Sequence, residues 1–226
     1  MGRWLLLAGL LIIGGSLIGV WRGWLDVPPR WNPWAPLDVQ ATPNWLTGYK
    51  LMRLRSDPLL CEQALGSSGL RVSPQADSPD AKCPLIGALR VQGGGVGLSS
   101  SFLASCPLAV AFAMFERHTL QPAAQRAYGQ PVARVDHLGS FACRNVYNRE
   151  NGALSRHASA DALDIAGFRL ADGRAISVLK DWPKQNQDAQ FLRQVRDGAC
   201  EAFSVVLGPD YNTAHRNHFH VDVGRW

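Results

Sequence analysis

His215-Arg216-Asn217-His218-Phe219-His220-Val221-Asp222 lies near the C-terminus and carries three of the chain's six histidines. Successive side chains of a strand point to opposite faces, so His218, His220 and Asp222 share one side while Phe219, Val221 and Val223 share the other. One face is apolar enough to cover a core, and the other displays two imidazoles and a carboxylate. A fourth histidine sits in Ser155-Arg156-His157-Ala158-Ser159-Ala160-Asp161-Ala162-Leu163-Asp164. Asp164 opens a strand-like run to Leu170, and a second run, Ala175 to Val178, follows across Asp172-Gly173. Asp-Gly between apolar runs is the strongest short hairpin signal. Both segments therefore read as strands that present polar side chains to a common cleft.

Working outward, Asp188 to Phe203 has the spacing of an amphipathic helix, with Phe191, Leu192, Val195, Ala199 and Phe203 on one side. Ser204 to Leu207 reads as a strand. Upstream, Val132 to Val135 and Ser140 to Arg144 look like strands, and Cys106-Pro107 opens an apolar helix to about Glu116, followed by a helical piece from Pro122 to Tyr128 that stops at Gly129. Asp57-Pro58 begins a short capped helix ending at Gly66, and Leu70 to Val72 and Leu85 to Val91 are strand-like runs in a Gly/Ser/Pro-rich region. Short strands joined by turns, with helices outside them, predict an α+β domain with a mainly antiparallel sheet flanked by helices.

The chain of 226 residues holds one ordinary domain plus an appendage. Its 46% hydrophobic content argues against disorder. Residues 4–21 contain no charge and would span roughly 27 Å as a helix, close to a bilayer core. Trp4 and Trp21 bracket the run as interfacial aromatics do. An uncleaved transmembrane anchor over residues 1–22 is the leading expectation, ahead of a cleaved signal sequence and a buried core helix. Arg3 and the terminal amine place the N-terminus in the cytoplasm, although Arg22 and Arg30 partly cancel that bias. Residues 23–44, rich in Pro and Trp, read as an extended linker whose tryptophans lie along a membrane or against the domain, and residues 45–226 as the folded domain. The net charge of +5 suits a polyanionic neighbour, but no Lys/Arg cluster concentrates it and no nucleic-acid motif is present, so nucleic acid is not an expected partner.

Cys61, Cys83, Cys106, Cys143 and Cys200 are widely spaced without a CxxC pair. Beyond an export signal they read as up to two disulfides and one free thiol, against five reduced cysteines in a cytosolic domain. Cys143 with Cys200 is the leading pair because the two flank the block of motifs that holds His157 and Asp164.

Three residues suit a catalytic zinc ion: the imidazoles of His157 and His220 and the carboxylate of Asp164, leaving a fourth position for water. Such an ion polarises a carbonyl and activates water. His218, two places from a ligand, is placed to shuttle the proton, and Asp222 or Ser155 to fix an imidazole tautomer from outside. Arg144 and Arg156 are candidates for holding a substrate carboxylate, with a surface role an equal reading for Arg156, and Asp161 is a further candidate beside the ligands or the substrate. His118 and His137 read as structural, and Gly93-Gly94-Gly95 lacks the Lys and Ser/Thr of a phosphate cradle.

Ser155, His157, Ala162 and Asp164 resemble the Ser-x-His-x-x-Gly-x-Ala-x-Asp pattern of the D-Ala-D-Ala metallopeptidases and their lysostaphin- and Hedgehog-like relatives. That resemblance implies zinc ligands at His157, Asp164 and His220, a base or transition-state stabiliser at His218, and a further site histidine at His215. It also implies a Hedgehog/D-Ala-D-Ala peptidase-like fold. Over roughly Leu51 to Arg225, phrases such as Gly139 to Asn145, His157 to Phe168, Phe191 to Cys200 and Val206 to Asn212 are similar to the bacterial extensin-like C-terminal domain family. Two positions depart from the peptidase pattern. Ala160 and Asp161 replace Gly and Asn, and Asn217 stands where carboxypeptidase members carry Glu. An amide cannot act as a base, so a His-assisted endopeptidase or amidase reading gains over a carboxypeptidase one.

The expectation is therefore a membrane-anchored, zinc-dependent amide hydrolase acting on peptidoglycan peptide, with its domain in the periplasm. The alternatives are an inactive zinc-binding module that binds an envelope partner, and a structural domain in which the histidines form a hydrogen-bonded cluster.

Overall fold

A computed structural model of the chain describes residues 2–224; Arg225 and Trp226, at the end of the expected domain, lie outside the described residues. Helix α1 (Gly2–Trp21) is apolar all round, with the length and composition that a membrane span and a signal sequence share. Helices α2 (Thr47–Arg53) and α3 (Pro58–Ser68) follow. Asp57 caps α3 by accepting from the Leu59 and Leu60 amides, with Pro58 in the first turn where its missing N–H costs nothing. The helix passes the expected stop at Gly66 and ends instead at Gly69, whose φ of 71° supplies the left-handed cap.

A small antiparallel sheet joins β1 (Arg71–Pro74), β2 (Leu89–Gly93) and β4 (Phe102–Ala104), while β3 (Gly97–Leu98) belongs to the main sheet. Helix α4 (Cys106–Phe115) is buried at every position, so it forms the centre of the core. It continues through a π-helical turn (Glu116–Leu120) into α5 (Gln121–Tyr128), where two separate helices were expected. Pro122 cannot donate to the preceding turn, and a π-turn absorbs that missing bond without ending the helix.

The main sheet runs β3-β5-β6-β9-β8, with β5 (Val132–Gly139), β6 (Ala162–Leu170), β8 (Val205–Leu207) and β9 (Phe219–Asp222); β7 (Ala175–Ser177) extends the sheet beside the far half of β6. Every pairing is antiparallel except β3 with β5. The α+β architecture with mainly antiparallel sheets is thus present. The Asp172-Gly173 turn closes β6 onto β7, with Gly173 at φ 91°. After α6 (Val178–Asp181), helix α7 (Gln187–Ala199) lays Phe191, Leu192 and Val195 on the core, capped by the Asn186 side chain. It stops before the expected Phe203, which still fills the core from the following turn. Residues 140–144 are not a strand: they leave β5 as irregular chain, and one of their carbonyls is used in the site below.

The proline- and tryptophan-rich stretch is not an open spacer. Leu37 and Val39 enter the core. The buried Lys50 ammonium donates to the Pro29 carbonyl at 2.7 Å, Arg53 donates to the Pro33 carbonyl, and the His118 ring donates to the Val39 carbonyl. Burial and the Arg53 charge lower the pKa of Lys50. His137 likewise has a structural partner, the Ser100 carbonyl.

Two disulfides are formed, Cys61–Cys106 and Cys83–Cys143, and Cys200 is free and exposed. The expected Cys143–Cys200 pair is therefore wrong. Flanking a motif block in sequence does not bring residues together: Cys200 caps α7 beside Gly48, Met52 and Pro107, whereas Cys143 lies in the irregular segment after β5.

Candidate metal centre

Register builds the site. In the β6–β9 ladder Asp164 is directly opposite His220, and Leu163 is opposite Val221. Leu163, Ile165, Phe219 and Val221 fill the core, so the alternate residues are turned to the other face of the sheet. The third member arrives from outside the sheet. Ser155 accepts the His157 amide at the start of a 3-10 turn (Arg156–Ser159), which lifts the His157 ring over the end of β6.

Three donor atoms then converge. Asp164 Oδ1 is 2.9 Å from His220 Nδ1 and 3.2 Å from His157 Nε2, and the two ring nitrogens are 3.1 Å apart. Donors about 2.0–2.1 Å from a tetrahedral zinc ion stand roughly 3.3 Å from one another, so the triad has nearly that spacing. A further group of this type, Asp80 with Cys83 and Cys143, offers no thiolates because its two cysteines are disulfide-bonded to each other.

The chemistry of the outer nitrogens argues for a cation more strongly than the distances do. His157 Nδ1 faces the Ser140 carbonyl at 3.0 Å, which can only accept, so the proton sits on Nδ1 and Nε2 is left as a lone pair. His220 lies between two carboxylates, Asp164 Oδ1 at 2.9 Å from Nδ1 and Asp222 Oδ2 at 3.3 Å from Nε2, so Asp222 can keep the outward proton when Nδ1 turns its lone pair to a cation. His218 Nδ1 donates to Asn217 Oδ1, and His215 Nδ1 to Asn212 Oδ1. His157 and His218 thus turn an unprotonated nitrogen toward the Asp164 carboxylate, His220 Nδ1 faces it as well, and such a set fits a metal ion. Without one, the proton is the only cation at hand. Burial of the His220 ring disfavours its charge, yet hydrogen bonds to Asp164 and Asp222 outweigh this and push its pKa up to about 9. Burial would raise Asp164, but the neighbouring histidines hold it well below the usual carboxylate range.

His218 Nε2 lies 3.4 Å from Asp164 Oδ1. Burial lowers the His218 pKa although Asp164 opposes the shift, and burial together with the charge of His218 lowers His215 to about 4. His215 is therefore neutral at pH 7, and the shift of His218 favours its neutral form. Arg144 is close enough for its charge to contribute to both shifts.

A family model described as extensin-like protein C-terminus matches residues 59–226. The chain belongs to this family. No curated protein and no solved structure matches it. The extensin-like match spans both histidine segments and all four disulfide cysteines, so the site described above lies wholly inside the family domain.

Not every expected residue of this extensin-like domain meets the cluster. Asp161 is turned away and buried: both its carboxylate oxygens accept from Arg55 Nη1, at 2.9 and 3.1 Å, and one accepts from Ser159, tying the turn after α2 to the root of β6. Ser155 caps backbone instead of holding a ring, and the Ser140 carbonyl does that work. A backbone acceptor leaves no trace in residue type, so no pattern could have revealed it. Asn212 was also missed; it bridges His215 to the Tyr147 hydroxyl at 2.8 Å, across a loop in which Tyr147 and Asn148 are both left-handed. Ala160 adopts φ 51°, a conformation that costs a non-glycine residue about 1 kcal/mol. Its methyl is buried against Leu85 and Ala88, which offsets much of that cost.

Asp222→Asn is expected to weaken zinc binding about 10- to 100-fold with little change in fold, because it removes only the group that orients His220. Competition against a chromophoric zinc chelator measures it; unchanged affinity would mean that Asp222 serves the sheet alone.

Proposed function

We propose that this protein is a zinc-dependent hydrolase of an amide bond in peptidoglycan peptide, of endopeptidase or amidase type, held on the periplasmic side of the inner membrane by α1. The inward set of lone pairs around Asp164 carries the reading, since it suits a divalent cation and leaves a neutral histidine beside it. Two disulfides fit an oxidising compartment, and the net charge of +5 fits an anionic wall polymer.

Zinc held by His157 Nε2, Asp164 Oδ1 and His220 Nδ1 would supply a Lewis acid for the carbonyl and for water. The remaining work falls to the chain. His218, its Nδ1–H fixed by Asn217, presents Nε2 to take the proton lost by the attacking water and to return it to the leaving amine. His215, neutral and fixed by Asn212, offers an acceptor that orients that water. Arg144 holds a substrate carboxylate at the rim. Asn217 in place of a carboxylate leaves His218 as the proton carrier, and also favours the second reading, a zinc-binding module that grips an envelope polymer without cutting it.

Zinc-loaded protein incubated with purified sacculi is expected to release peptide fragments detectable by mass spectrometry. His218→Ala should keep its zinc and release them about 10²- to 10⁴-fold more slowly. Release by neither protein would leave the binding module; absence of zinc from both would end both readings.

A further inference from the structure

The outward side of α2 is apolar where a water-facing helix should be polar. Trp45, just before the helix, is 79% exposed, and Tyr49 and Met52, four and seven residues on, are 43% and 57% exposed. The opposite side, Leu46, Leu51 and Leu54, is buried, so α2 is apolar on both faces. The same surface character continues upstream: every exposed tryptophan among the described residues lies between positions 4 and 45, while Trp182 in the domain is buried. Trp24 is 75% exposed, and Arg30 stacks on the exposed Trp31.

The chain leaves this surface little freedom to be elsewhere than near the end of α1. Only residues 22–28 separate Trp21 from Pro29, whose carbonyl is held by Lys50 of α2. Seven residues span at most about 25 Å when fully extended. They are not fully extended, because the Trp24 and Leu25 amides both turn back to the Gly19 carbonyl.

We propose that the Trp45-Tyr49-Met52 face of α2, together with Trp24 and Trp31, lies in the headgroup region of the same bilayer that α1 enters. This rests on α1 being a retained anchor, as in the reading above. Tryptophan and tyrosine are the side chains that favour this depth, with an apolar body toward the chains and a polar edge toward water. Arg22 and Arg30 add attraction to anionic headgroups. Docking through a second, apolar contact fixes the domain flat on the membrane instead of leaving it on a loose leash.

Full-length protein in a Cys200→Ser background, with single cysteines introduced at Trp45, Tyr49, Met52 or the exposed control Leu179, can be spin-labelled and reconstituted into phosphatidylcholine/phosphatidylglycerol vesicles. Labels at 45, 49 and 52 should collide several-fold less with a water-soluble nickel relaxant, and more with oxygen, than the label at 179. Vesicle flotation with all four labels equally water-exposed would overturn the docking while sparing the anchor. Protection with dipolar broadening between labels would give the face to a second copy and overturn it too. Failure to float would remove the anchor and the docking together, independently of zinc content.

Discussion

Asp164→Ala is expected to abolish stoichiometric zinc binding, with a loss well beyond the roughly 10- to 100-fold that removal of an outer partner causes. Asp164 Oδ1 is the one anionic donor among three converging atoms and stands within 3.2 Å of both the others. Without it two neutral rings remain. Metal analysis after dialysis provides the readout, and one zinc per chain in the variant would rule out the three-residue site. Proton competition gives a second signature. His220 holds a proton up to about pH 9 in the metal-free fold, so zinc affinity should climb as pH rises toward about 9 and level off above it. The stability of the metal-free protein runs the other way. A folded-state pKa raised above the unfolded value of about 6.5 contributes fully below that value and is lost as pH rises through about 9. Asp164→Ala should flatten both profiles.

The second large effect concerns the Cys83–Cys143 bridge, which closes a sequence separation of 60 residues. On a chain-entropy basis its removal by Cys83→Ala with Cys143→Ala costs about 4 kcal/mol. In a chain of this length that lowers the melting temperature by roughly 10 °C. The site should suffer as well, because Cys143 anchors the irregular segment that carries Ser140, whose carbonyl fixes the His157 ring. Circular dichroism melts and zinc titration of the double variant check both parts. A lowered melting temperature with unchanged zinc affinity would show that the segment holds its course without the bridge.

Much of this arrangement was legible in the residues because strand alternation is a strict period. His218-Phe219-His220-Val221-Asp222 could be assigned its two faces before any coordinates, and Asp172-Gly173 marked the hairpin that sets β6 against β7. What was illegible depended on chain path. Cys143 and Cys200 looked like partners only because they flank one block, while Cys83, in a region with weak patterning, holds the true contact. Asp161 sits three residues from Asp164 and has the same chemistry, yet it faces Arg55, since the chain there is still leaving the left-handed turn at Ala160 and has not entered the strand. Leu37 and Val39 were hidden by the prolines around them: a segment without regular structure can still supply two core residues.

On the proposed metal site, the direct opposition of Asp164 and His220 would make ion capture a proofreader of strand alignment. Slippage of β9 by a single residue would aim Val221 at the cleft and bury an imidazole where Phe219 packs on Trp182, so a misaligned chain would lack the site for an ion. The two strands are 56 residues apart along the chain at that pair, so their pairing carries the entropy cost of closing a long loop. An ion bound there would thus stabilise only the finished molecule, and the gain in melting temperature on adding zinc should grow with the logarithm of its free concentration.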